Sequence, residues 1–206
     1  MNWKIRTAWI YQDSQPDYDK MARCGIGGLY LDPRSNNAQQ ILADLRGRGL
    51  YGGIYTVPSW MGSIGPKEFA KWTSDQANRL IPRVGNTEAP PLMLDLEAVS
   101  LEWQTTCVSS YRSYQPRRPT AYTNEPFKNQ TVVPVNSLQS AGLHWYVQLY
   151  RGDMSPVDLA STMMQTARIY PPGMVHPFYA GERLPPDEDV PYDTKDGCVF
   201  TLERIP

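Results

Sequence analysis

The chain alternates short apolar runs with stretches of helical periodicity. Arg6-Thr7-Ala8-Trp9-Ile10-Tyr11 reads as a first strand and Gly27-Gly28-Leu29-Tyr30-Leu31-Asp32 as a second, stopped by Pro33. Between them, Asp17 to Arg23 makes a short helical turn closing at Cys24-Gly25, and Gly25, Gly27 and Gly28 read as a tight turn. Ser35-Asn36-Asn37 offers caps for a helix whose Ala38, Ile41, Leu42 and Leu45 form one stripe, closed by Gly47 or Gly49. A third strand, Gly52-Gly53-Ile54-Tyr55-Thr56-Val57, stops at Pro58; Pro66 then opens a helix carrying Phe69, Trp72, Gln76 and Leu80. The fourth strand is Pro90 to Ala98, and Ser100 caps a helix with Trp103, Cys107, Val108 and Tyr111 at helical spacing.

The fifth strand is Pro119 to Asn124, after which Glu125 to Ser140 reads as a long irregular connection. Leu143 to Tyr150 is the sixth strand. Ser155-Pro156, with Asp158 in the first turn, starts a helix lined by Leu159, Met163, Ala167 and Tyr170. Met174 to Tyr179 is the seventh strand and Cys198 to Glu203 the eighth, with a proline-rich acidic loop, Pro185 to Asp196, where a last helix would stand. Eight strands alternating with helices predict an α/β fold, a single (β/α)8-type TIM barrel of one domain over residues 1–206, its last helix replaced by a loop. No GxGxxG opens the first helix, so a dinucleotide-binding sheet lacks its fingerprint.

Composition narrows the function. A net charge of -1 excludes a nucleic-acid surface and a membrane-seeking face, and no apolar run approaches a membrane span. The first residues lack the apolar core of a signal peptide, so the expectation is synthesis in the cytoplasm without an export signal. Cys24, Cys107 and Cys198 are far apart with no metal-ligand spacing, and His144 and His176 sit on separate strands; no metal or cofactor is expected.

The chemistry centres on Leu94-Asp95-Leu96-Glu97. Side chains alternate along a strand, so Asp95 and Glu97 share a face at the end of a buried run. Solvated loop acids would read the same in isolation. In a barrel, however, the carboxyl ends of the strands surround one pocket. Alternation lets Asp32 and Tyr30, Tyr55, Asp95 and Glu97, Tyr122 and Asn124, and Gln148 and Tyr150 converge there. Acids, amides and phenols with little positive charge suit a neutral polyhydroxylated ligand. Glycoside cleavage needs a proton donor and a second group that stabilises positive charge at the sugar carbon; Glu97 would be the general acid and Asp95 its partner.

Three strands carry a resemblance. Leu94-Asp95-Leu96-Glu97 after Pro-Pro, Ala121-Tyr122-Thr123-Asn124, and His144-Trp145-Tyr146-Val147-Gln148-Leu149-Tyr150 resemble, in order and spacing, glycoside hydrolase family 25, the barrel muramidases. The resemblance implies engagement of bacterial cell-wall glycan through Glu97 and Asp95. Family 18 places a further acid two residues before the D-x-E pair, where this chain has Met93. Departures from family 25 weigh against full activity. The first strand lacks the family's aspartate, the nearest acid being Asp13; the second ends in Asp32 where the family tends to a basic residue; and the last offers only Glu203. The resemblance therefore implies a muramidase-like phage virion component, in a tail or tail tip with other tail proteins as partners and weak or no hydrolysis. The alternative is an active, endolysin-type muramidase.

Overall fold

The computed structural model describes residues 5–82, 90–96, 99–124, 133–149, 156–180, 198–200 and 202. Glu97, Tyr150, Glu203 and the expected loop from Pro185 to Asp196 lie outside the described residues. The elements follow in the order β1 (Arg6–Trp9), α1 (Tyr18–Arg23), β2 (Ile26–Leu31), α2 (Ala38–Gly47), β3 (Tyr51–Thr56), α3 (Pro66–Leu80), β4 (Leu92–Asp95) and α4 (Leu101–Tyr114). They continue with β5 (Thr120–Asn124), α5 (Val135–Ser140), β6 (His144–Leu149), α6 (Pro156–Ile169), β7 (Val175–Ala180) and a three-residue β8 (Cys198–Phe200). Every sheet neighbour is parallel and the ladder runs in chain order, with β8 pairing back to β1 at Thr7–Cys198 and Ala8–Val199. The expected TIM-barrel-like α/β fold is found.

Local chemistry explains the element ends. The Asp17 side chain accepts the Lys20 N–H at the start of α1, and the Ser100 hydroxyl accepts the Trp103 N–H at the start of α4. Pro66 takes the first position of α3, where its missing N–H costs nothing, and Glu68 accepts the Gly65 N–H. Asn37 precedes α2 without a side-chain cap bond. Two readings need correction. β2 begins at Ile26, so Gly27 and Gly28 lie in the strand; only Gly25, at φ +63°, makes the turn. The stretch read as irregular from Glu125 to Ser140 contains α5, whose buried Leu138 is one apolar residue in a short polar segment and too weak a periodic signal.

Apolar side chains fall into two layers. Between sheet and helices lie Leu29, Leu31, Ile54, Leu92, Leu94, Trp145 and Val147, packed on the α2 stripe of Ala38, Ile41, Leu42 and Leu45 and on Cys107, Val108 and Tyr111 of α4. Inside the ring, Trp9, Tyr30, Tyr55, Met93, Ala121, Tyr146 and Phe178 form a second cluster. Both faces of the strands are therefore buried, as in parallel sheets generally.

Candidate functional site

The inner cluster fixes which residues can reach the barrel mouth. Met93 and Tyr146 point inward, so alternation carries Asp95 and Gln148 inward at the carboxyl ends of β4 and β6. Gln148 Nε2 approaches Asp95 Oδ1 at 3.5 Å, and the two residues are 2% and 5% exposed. Thr123 pairs in register with Asp95 on one side and Tyr146 on the other, so its side chain faces inward between them. Thr123 Oγ1 and Gln148 Oε1 are buried without a hydrogen-bond partner among the described residues. Native proteins rarely leave such groups unmet, since each costs about 1–3 kcal/mol. A patch of polar atoms with unused capacity therefore lines this half of the rim.

The opposite half is aromatic. Trp9 stacks on Tyr55 with ring centroids 3.9 Å apart, and Tyr55 meets the half-buried Trp60 edge-on at 5.1 Å. The Tyr55 hydroxyl donates to the Ile10 carbonyl at 3.1 Å, and the Tyr30 hydroxyl to the Pro90 carbonyl at 2.6 Å. Tyr30 and Tyr55 thus face inward as expected, but each gives its phenol to backbone and serves mainly as filling. Trp9, 1% exposed, occupies the strand where family 25 carries an aspartate.

Asp32 lies at the end of β2 and is 1% exposed. Its carboxylate accepts the Arg34 N–H, Nε and Nη2, so it holds Arg34 and offers little to a ligand. Arg34 lies over the Trp60 ring, 4.1 Å from its centroid. Neither Arg34 nor Trp60 stands out in the sequence, because Arg34 lies in a loop and Trp60 in a single 3-10 turn, Pro58–Met61, too short to carry a periodic signal. Asp13, at φ +61°, accepts the Asn36 N–H and its own N–H donates to the Ser35 hydroxyl; it ties two loops together rather than replacing the absent first-strand acid.

Tyr122 and Asn124 do not join the site. Tyr122 packs against Trp145 in the outer layer, its hydroxyl donating to Gln104 Oε1 of α4 at 2.7 Å, and Asn124 Nδ2 donates to that hydroxyl at 2.6 Å. The phase of β5 differs by one residue from the expected one: Ala121 and Thr123 face inward, and Tyr122 faces the helices.

At the amino-terminal end of the barrel, His144 and His176 face inward together, Nδ1 to Nε2 at 2.8 Å. Burial first, and the adjacent His176 second, lower the His144 pKa to about 3. No group of three or more side chains suited to hold a metal ion occurs among the described residues.

The solved structures similar to this chain include a GH18 chitinase from Pseudoalteromonas aurantia (TM-score 0.61, 11% identity, covering 96% of this chain and 93% of that one). An endo-beta-N-acetylglucosaminidase from Cordyceps militaris matches at TM-score 0.59 and 10% identity, over 98% of this chain and 82% of that one. The fold is similar to that of glycoside-hydrolase barrels. The similarity does not single out family 25, and a fructose-bisphosphate aldolase from Campylobacter jejuni also matches, at TM-score 0.52 and 10% identity over 97% and 70% of the chains. At these identities the likeness concerns the fold alone. No protein-family model matches the sequence, and no curated protein matches it.

Proposed function

We propose that the protein engages a glycan at the carboxyl-end rim of its barrel, with Asp95 and Glu97 as the acid pair and with weak or no hydrolysis. The observation that carries this is the buried polar patch where Gln148 approaches Asp95 beside Thr123: Thr123 Oγ1 and Gln148 Oε1 have no hydrogen-bond partner among the described residues, and the hydroxyls of a polyhydroxylated ligand would satisfy them. Further support comes from a structure similar to this chain. It is a variant of the Cordyceps militaris enzyme with Asp→Asn and Glu→Gln substitutions separated by one residue, the spacing of Asp95 and Glu97, and it is in complex with fucosyl-N-acetylglucosamine-Asn.

Weak turnover is inferred from Trp9. A tryptophan filling the interior where family 25 has an acid removes one charge from the machinery and much of the room for a distorted sugar ring. Bacterial cell-wall glycan as the ligand, and a phage tail as the setting, rest on the resemblance of the three strands to family 25. The D-x-E spacing favours a second reading, an active muramidase with Glu97 donating the proton to the leaving oxygen and Asp95 assisting.

Purified protein mixed with insoluble peptidoglycan and with chitin tests both readings. Co-sedimentation with either polymer, with reducing ends released no faster than by Glu97→Gln, is the expected result. Clearing of a wall suspension that Glu97→Gln abolishes would establish the muramidase. Failure to sediment with any glycan would remove the carbohydrate reading.

A further inference from the structure

The loop after β2 is held from three directions and presents a guanidinium edge at the rim. From within, the Asp32 carboxylate accepts the Arg34 backbone N–H at 2.8 Å, Nε at 3.0 and 3.1 Å, and Nη2 at 2.6 Å. From the β1 side, Asp13 accepts the Asn36 N–H at 3.0 Å and donates its own N–H to the Ser35 hydroxyl at 2.7 Å. From α3, Arg79 Nη2 donates to the Pro33 carbonyl at 2.8 Å. Trp60 lies under the guanidinium, 4.1 Å from ring centroid to Arg34 Cζ. Arg34 is nevertheless 29% exposed, and the bonds to Asp32 use only its Nε and Nη2 edge. The Nη1 hydrogens make no hydrogen bond among the described residues.

We propose that Arg34 is a specificity-determining residue that selects a sugar bearing a carboxylate. The inference rests on the glycan reading above and names the class of sugar within it. Asp32 is spent on Arg34, and the guanidinium edge left open to solvent carries donors only. A hydroxyl both donates and accepts, and here only its acceptor capacity would be used. A carboxylate is acceptor throughout, and it meets a planar guanidinium with charge-assisted bonds. Because the loop is already ordered, such a ligand would lose little affinity to immobilising Arg34. The carboxylate could come from the lactyl ether of a muramic acid or from a hexuronic acid, and the two differ in how far it stands from the ring.

Calorimetric titration of the full chain separates these cases, using oligosaccharides of equal length built on N-acetylmuramic acid, on hexuronic acid, or on N-acetylglucosamine alone. One of the two acidic oligomers is expected to bind about ten-fold or more tightly than the neutral one. That gap should shrink as salt rises from about 50 to about 500 mM. In Arg34→Met the acidic oligomer should fall to the affinity of the neutral one. Arg34→Lys, which keeps the charge but loses the planar fork, should retain only part of the gap, and it serves as the test if the methionine variant does not fold. Equal binding of acidic and neutral oligomers by the unaltered protein, or a gap untouched by both substitutions, overturns this inference and leaves the glycan reading standing. Absence of binding by all three overturns both.

Discussion

Gly53 shows how tightly the interior is fitted. A Cβ there would sit 2.7 Å from Tyr30 Cε1 and 3.0 Å from the Pro91 carbonyl oxygen, and Tyr30 is itself pinned through its hydroxyl to the Pro90 carbonyl. Neither neighbour can withdraw without breaking that bond or shifting β4. Gly53→Ala should therefore destabilise the fold by about 2–3 kcal/mol, read as a lower urea midpoint with an unchanged m-value. The same crowding shows which site residues were legible. Alternation correctly put Tyr30, Tyr55, Asp95 and Gln148 on inner faces, but it is silent on how a phenol spends its hydroxyl. It is equally silent on phase in a strand buried on both sides, which is why Tyr122 and Asn124 were expected inside. Composition does not fix the phase either: Thr120 bonds Tyr111 on the helix side, while Thr123, the same residue type, faces inward.

Among the elements, α3 and α4 are joined by a buried cation. Arg118, 7% exposed, donates through Nη1 to the Ile81 carbonyl at the end of α3 at 2.7 Å, through Nη2 to Asn78 Oδ1 at 3.2 Å, and through Nε to Gln115 Oε1 at 3.1 Å. Gln115 in turn donates to Ser74 Oγ at 2.7 Å and Asn78 Oδ1 at 2.8 Å. A positive charge at two helix carboxyl ends is favourable to both dipoles, and it satisfies the Ile81 carbonyl at the end of α3 together with two side-chain amide oxygens. Arg118→Met keeps most of the bulk and strands those acceptors. The expected loss is about 3 kcal/mol, measured by chemical denaturation, with no change in glycan sedimentation because the residue lies at the opposite end of β5 from Thr123. The helices themselves were readable from stripes and caps, since α2 buries the four residues its periodicity names. This network was not, because Arg118, Gln115, Asn78 and Ser74 look like ordinary surface polar residues until the helix ends are brought together.

For the whole molecule, the histidine pair ties stability to pH. His144 and His176 join neighbouring strands inside the ring, and Tyr146 stacks on His176 at 4.7 Å, so a proton taken up here is taken up within the barrel. Folding lowers the His144 pKa from 6.5 to about 3, through burial first and His176 second. Between those two values the unfolded chain carries a proton on this residue that the folded chain does not. Stability from the neutral imidazole is thus complete above about pH 6.5 and is lost progressively as the pH falls toward 3, at about 1.4 kcal/mol per unit. Carboxylates also titrate in this range, so the contribution of His144 must be isolated by difference. His144→Gln keeps a polar side chain beside His176 and removes the titration. At pH 7 the unaltered protein should be the more stable; by pH 4.5 its advantage should have shrunk by roughly 2–3 kcal/mol. Parallel urea midpoints across that interval would show instead that His144 takes up no proton differently in the folded and unfolded chains. Such a result would also mean that the floor of the barrel is open to water.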